Sequence, residues 1–278
     1  MDFKGDDRML GVMQGRLSPQ IGSKIQAFPK SFWKAEFFLA EAIGAECVEW
    51  TLDFEDIYEN PIISDTSTVL DIKMLTNVAI PSLTYDVGMQ KPLVVDGLID
   101  VNQVELLGLV LDKIKKVGVE ILVLPLVDNS SIKNNNDLDL YITVLKEIAQ
   151  KYLTPNLKIA IESDFPPNKL IKFINKIDTP FIGINYDTGN SSAIGFDFYE
   201  EMISLKSRIL NIHIKDRKLN GPTVALGKGS APLEKQVKYF KNELPNVNLI
   251  LQPARSECGN DVGLIEDYLK FLQTGTLL

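Results

Sequence analysis

Histidine is almost missing from this chain: among 278 residues there is one, His213. A site that needs several imidazoles is therefore excluded, and no second histidine can stand in for the first. Cysteine is nearly as scarce. Cys47 and Cys258 lie far apart, with no Cys-x-x-Cys pair, so neither a disulfide framework nor a thiol-rich metal site is expected, and a reducing, cytoplasmic setting is the simplest home. No apolar run approaches the roughly 18 residues needed to span a bilayer. The opening Met-Asp-Phe-Lys-Gly-Asp-Asp-Arg lacks the apolar core of a secretion signal, so a soluble protein is expected, with no membrane partner. A basic excess is absent too. The formal charge is −8, whereas nucleic-acid binders cluster Lys and Arg against phosphates. Pro/Ser runs, low-complexity tracts and long charge blocks are all missing, which leaves no linker and argues for one domain over residues 1–278.

What is present is alternation. Hydrophobic residues make up 45% and charged residues 24%, as in an ordinary globular chain. Short apolar runs suited to buried strands fall at 9–13, 47–50, 78–83, 120–124, 157–161, 181–186, 209–214 and 248–252. Between them lie segments with helical spacing at 31–43, 64–76, 99–117, 138–151, 170–177, 196–206, 231–243 and 260–273. Eight strands alternating with eight helices predict an α/β fold of the (β/α)8 TIM-barrel type, which at about 250 residues uses nearly the whole chain. An open doubly wound sheet would usually show Gly-x-Gly-x-x-Gly after its first strand, and Gly11-Val-Met-Gln-Gly15 lacks that form.

In such barrels the site lies at the C-terminal strand ends, which here carry Gln14, Glu49, Asp86, Glu162, Asp187, His213 and Gln252. Three runs share one grammar. Lys158-Ile-Ala-Ile-Glu162, Phe181-Ile-Gly-Ile-Asn-Tyr-Asp187 and Arg208-Ile-Leu-Asn-Ile-His213 each end on a potential metal ligand, at spacings of 25 and 26 residues. Parallel strands would bring the three side chains to one point. A lone histidine in an apolar strand is more often a core residue, and acids after strands often cap helices, a role for which Asp164 is better placed. Two carboxylates at matching ends of adjacent units weigh against both readings.

At Glu162, Asp187 and His213 the sequence resembles the xylose isomerase-like barrels, in particular the sugar phosphate isomerase/epimerase group. Gly11-Val-Met-Gln-Gly-Arg-Leu-Ser-Pro19 and Ile25-Gln-Ala-Phe-Pro29 add to the likeness, which covers nearly the whole chain. The resemblance implies one divalent metal (Mn, Co, Mg or Zn) held by Glu162, Asp187, His213 and, where relatives have glutamate, Gln252. A glutamine oxygen can ligate, but without charge, so weaker metal retention is expected. Asn190 stands where epimerase relatives often carry a histidine that contacts substrate, and it cannot titrate near neutrality.

The implied chemistry is proton abstraction next to a carbonyl of a small carbohydrate, through an enediolate. Glu162 is the expected base, provided burial or neighbours raise its pKa. Gln252 cannot serve as the second base, so Glu49, Asp86 and Glu257 are candidates for that role. Otherwise one base shuttles a proton between adjacent carbons, as in an aldose–ketose isomerisation, and the missing acid tips the chemistry toward that. A dehydratase and a non-catalytic sugar-binding barrel stay open, as does a homo-oligomer. Gln14 and Asp86 complete the substrate-facing strand ends. Arg16, Arg217, Lys228 and Arg255 are expected to bind a substrate phosphate or carboxylate. Trp50, Phe28 and Tyr85 are expected to wall a sugar ring. The related barrel endonucleases of abasic DNA need several histidines, which this chain lacks.

Overall fold

The computed structural model describes residues 8–24 and 26–277. Apart from Arg8, the N-terminal stretch read for a signal lies outside the described residues, as does Ile25 of the quoted motif. Eight strands pair in parallel and in sequence order to close a barrel. They are β1 (Leu10–Met13), β2 (Cys47–Leu52), β3 (Ser82–Tyr85), β4 (Ile121–Leu126), β5 (Lys158–Ser163), β6 (Ile182–Asp187), β7 (Ile209–Ile214) and β8 (Leu249–Leu251). The (β/α)8 expectation is met.

Besides two four-residue turns of helix at Pro61–Ser64 and Val87–Gln90, the helices are α1 (Trp33–Ala42), α2 (Thr66–Leu75), α3 (Val101–Lys116), α4 (Asn135–Tyr152), α5 (Pro167–Ile177), α6 (Thr188–Ile194), α7 (Phe198–Leu205), α8 (Leu233–Glu243) and α9 (Asp261–Thr274). Polar residues set several starts: Asp65, Asp100, Asn134, Asp197 and Asn260 each accept a hydrogen bond from a backbone N–H of the first turn. α1 starts at Trp33 with no side-chain cap. The helix expected at 196–206 is α7 (Phe198–Leu205), and a further short helix, α6, precedes it, ended by Gly195 at φ 90°, a left-handed conformation that glycine adopts without strain. The strand expected at 78–83 begins at Ser82, after a single bridge at Ala79. Pro81 has no N–H to give a ladder.

Side chains alternate across each strand. Val48, Trp50 and Leu52 of β2, Leu122, Leu124 and Leu126 of β4, Ile159 and Ile161 of β5, and Ile212 and Ile214 of β7 join the large core beneath the helices. The opposite residues fill the barrel. Met13, Cys47 and Ile250, all 0% exposed, form a separate small apolar cluster. Gly11 is required beside it, since a Cβ there would lie 2.3 Å from Cys47 Sγ. A polar layer follows, made of Glu49 from β2, Ser82 and Thr84 from β3, Asn185 from β6, and Asn211 and His213 from β7, all buried. Among the described residues no helix is long and apolar enough to cross a membrane.

Candidate metal centre and active site

Burying a carboxylate is costly unless it is paired and hydrogen-bonded, and the polar layer meets both conditions. Glu49 accepts from Ser82 Oγ at 2.6 Å, Thr84 Oγ1 at 2.5 Å and Asn211 Nδ2 at 2.8 Å, and its Oε1 lies 2.7 Å from His213 Nε2. The other ring nitrogen, Nδ1, lies 3.3 Å from Glu162 Oε2. Glu162 also accepts from Asn185 Nδ2 and Asn190 Nδ2, each at 2.7 Å. Burial alone would lower the pKa of His213; the charge of Glu49 and the hydrogen bonds of Glu162 and Glu49 override it and push the imidazole up to about 10. Burial alone would raise Glu49 and Glu162, yet His213 holds both below the usual carboxylate range. The expectation of a raised Glu162 is thus reversed: without metal, it stands as a carboxylate.

Asp187 does two jobs. Its Oδ1 accepts from Asn190 N at 2.7 Å and caps α6. Its Oδ2 is buried and has no hydrogen-bond partner, with Lys215 Nζ 3.5 Å away. Burial and then the negative charge of Glu162 raise Asp187 against the pull of Lys215. Ligand atoms of Glu162, Asp187 and His213 all lie within 4.8 Å of one another. Gln252 donates through Nε2 to Gln26 Oε1 at 2.8 Å, and its buried Oε1 lacks a partner. The unpartnered oxygen of Asp187, the imidazole and the Glu162 carboxylate form a donor set that fits one divalent cation of the borderline or hard class, and Gln252 lines the same cavity as Glu162 and His213. Gln252→Glu supplies the missing charge. The expected outcome is metal held about tenfold more tightly, ~1.4 kcal/mol, measured by competition with a chelator; equal or weaker retention would contradict it.

Above these residues opens a cavity of about 540 Å³, within the range of small-ligand sites. Arg16, Asp86, Glu162, Asn190, His213, Arg217 and Gln252 line it as the sequence suggests. Other expected residues do not. Glu49 is 0% exposed and lies beneath His213, because β2 runs three residues past it to Leu52. Gln14 accepts from Thr51 N and joins strands rather than facing the cavity. Trp50 points outward, against Phe28, Trp33 and Phe37; Phe28 and Tyr85 are likewise absent from the cavity, whose apolar wall is Met89, Pro125, Val127 and Ile194. Arg255 binds the carbonyls of Gly15 and Ser18 and the carboxylate of Asp261, clasping the loop after β1 to the segment after β8. Glu257 is exposed and outside the cavity.

The Gly-rich loop 217–230 is wrapped around Asp216, not a phosphate. That carboxylate accepts from Gly227 N, Gly229 N and Ala231 N. Lys228 is left exposed and away from the cavity. Arg217 donates to Asn190 Oδ1 and to Gly221 O, so it orders the wall of the site. Three residues of the site were not singled out in the sequence. Lys215 follows His213 by two and so shares its inward direction, a signal that parity alone offered. Gln26 joins Asp86 and Gln252, a contact over long sequence separation that no local pattern reveals. Glu36, buried on α1, accepts from Gly15 N and Leu17 N and fixes the Arg16 loop; its only signal was an acid on an apolar helix face.

A closed parallel barrel with carboxylate and imidazole donors gathered at its C-terminal strand ends defines the class. The chain belongs to the xylose isomerase-like TIM barrel family, whose model matches residues 37–274. Similar solved structures include a D-allulose 3-epimerase from Methylomonas sp. (TM-score 0.76, 14% identity, covering 99% of this chain and 100% of that one). A xylose isomerase domain protein from Planctomyces limnophilus aligns with TM-score 0.74 and 14% identity over 96% of this chain and 97% of its own. The IolI protein, solved with a bound zinc atom, aligns with TM-score 0.73 and 14% identity over 97% and 99%. At such identities the likeness is one of fold. No curated protein matches in sequence.

Proposed function

We propose that the protein is a divalent-metal-dependent isomerase or epimerase of a sugar or sugar derivative, working by proton abstraction next to a carbonyl. The observation that carries this reading is the meeting of Glu162, Asp187 and His213 donor atoms within 4.8 Å, with Glu162 and His213 lining a sugar-sized cavity. Glu162, Asp187, His213 and Gln252 would hold the cation. Once bound, it would supply Lewis-acid stabilisation of negative charge developing on the substrate carbonyl. Glu162, kept ionised by His213 and oriented by Asn185 and Asn190, receives the proton. Asp86, Arg16 and the Arg217–Asn190 pair offer donors and acceptors to hydroxyl groups. The epimerase titles among the structural neighbours support the reaction class. The unpaired Cys47 and Cys258 support a reducing, cytoplasmic setting.

The test is a panel of free and phosphorylated ketoses and aldoses, incubated with Mn²⁺, Co²⁺, Mg²⁺ or Zn²⁺ in deuterated water and followed by NMR. Metal-dependent deuterium entry next to a carbonyl is expected. A non-catalytic sugar-binding barrel is the second reading, favoured by the amide at Gln252. Binding of a sugar without exchange under any metal would establish it instead.

A further inference from the structure

An epimerisation usually needs a second proton-transfer group on the far side of the reacting carbon from the first, and Gln252 cannot titrate. The cavity holds another carboxyl group, Asp86, directly after β3. It is 5% exposed. Its Oδ2 accepts from Gln26 Nε2 at 2.7 Å, and its buried Oδ1 has no hydrogen-bond partner. A buried carboxyl oxygen without a partner is costly in a purely structural role, whereas it suits a group that holds and releases a proton.

Asp86 and Glu162 follow different strands, β3 and β5, with β4 between them, and both line the cavity, so a carbon held between the two carboxyl groups meets them from two directions. We infer that Asp86 is the second acid/base residue of the site, and that the reaction is inversion at a carbon next to the carbonyl, an epimerisation, rather than an aldose–ketose exchange. The inference rests on the reading under Proposed function.

The surroundings of the two groups differ in the required way. Burial, then the negative charge of Asp53 and, more weakly, of Glu162, push Asp86 up to about 7, against the hydrogen bond of Gln26 and the charge of Arg16. Glu162 accepts an amide hydrogen on each of its oxygens, from Asn185 and Asn190, which suits a carboxylate. One group thus enters the reaction as a carboxylate and the other with a proton to give, the division of labour expected of paired acids. Glu162 takes the proton, and the C–H electron pair passes into the enediolate. Asp86 delivers its own proton to the same carbon from the other face. Glu162 then carries the proton and Asp86 the charge, which is the starting state for the reverse reaction; exchange with water restores the first.

Two variants test this. Asp86→Asn, assayed in deuterated water with the ketose that wild type turns over, should form inverted product at least 100-fold more slowly. Deuterium should still enter the unreacted substrate through Glu162, within about threefold of wild type, whereas Glu162→Gln should lose both. Because Gln26 lowers the pKa of Asp86, Gln26→Leu should move the alkaline limb of the wild-type rate profile upward by about half a pH unit or more. Inversion by Asp86→Asn at the wild-type rate would overturn the inference, as would an unmoved limb in Gln26→Leu, which decides the matter alone if Asp86→Asn does not fold. Absence of exchange in wild type with every sugar and metal would instead defeat the reaction class itself.

Discussion

His213→Ala is expected to remove metal binding and to lower stability by about 3–5 kcal/mol in the same step, because deleting one partner of a buried ion pair leaves the other charge uncompensated. The reason is the position of the ring. Its Nε2 meets Glu49 at 2.7 Å, and its Nδ1 meets Glu162 at 3.3 Å, both inside the barrel. Calorimetric titration with Zn²⁺ or Mn²⁺ and a urea melt of the metal-free protein check the two halves. A variant that binds metal normally would contradict the assignment of the site, and an unchanged melting midpoint would contradict the ion pair.

Wild type should also show the pair in its pH dependence. His213 has a folded-state pKa of about 10, above its ordinary value of 6.5. The folded state therefore binds the extra proton, and the stability this adds is complete below about pH 6.5. It fades as pH rises and is gone once His213 is neutral, above about 10. In urea melts of metal-free wild type this window should hold a decline that His213→Ala lacks. Metal must displace the same proton, so metal loading should release protons and tighten as pH rises.

Glu49→Ala is expected to cost nearly as much, by a different route. Glu49 touches neither the cavity nor a substrate; it positions His213. Its removal strands Ser82 Oγ and Thr84 Oγ1 without their acceptor, takes one of the two acceptors of Asn211 Nδ2 and leaves the imidazole free to turn. About 3–5 kcal/mol of stability should be lost, and metal affinity should fall by about 10–100-fold, the usual effect of losing the partner that orients a ligating histidine. Glu49→Gln keeps the shape and should recover most of the stability while metal affinity stays low, which separates positioning from packing. If Glu49→Gln binds metal as wild type does, the positioning role is wrong.

Much of this was legible in the sequence because strand parity is simple. Glu162, Asp187 and His213 stand at ends of apolar runs spaced by one strand, one helix and two loops, and closure brings them together. The errors came from the same rule applied loosely. Glu49 and Trp50 are neighbours and so cannot both face inward; Glu49 does, one layer too deep to touch a substrate, and Trp50 packs under α1. Lys228 looked like a phosphate ligand because glycines flank it, yet those glycines serve Asp216: a Cβ on Gly229 would sit 2.1 Å from its Oδ1. Asp86 lines the cavity at its strand end, but the hydrogen bond that holds it comes from Gln26, sixty residues away, and contacts of that kind leave no local trace.

The apolar cluster of Met13, Cys47 and Ile250 has a kinetic consequence. It closes the barrel below the polar layer, so on the proposed reading an ion held by Glu162, Asp187 and His213 would not leave through the bottom of the barrel and would face the cavity above. A sugar seated there stands in the doorway. On that reading loading would be ordered, ion before sugar, and the dwell time of the ion should lengthen with sugar concentration.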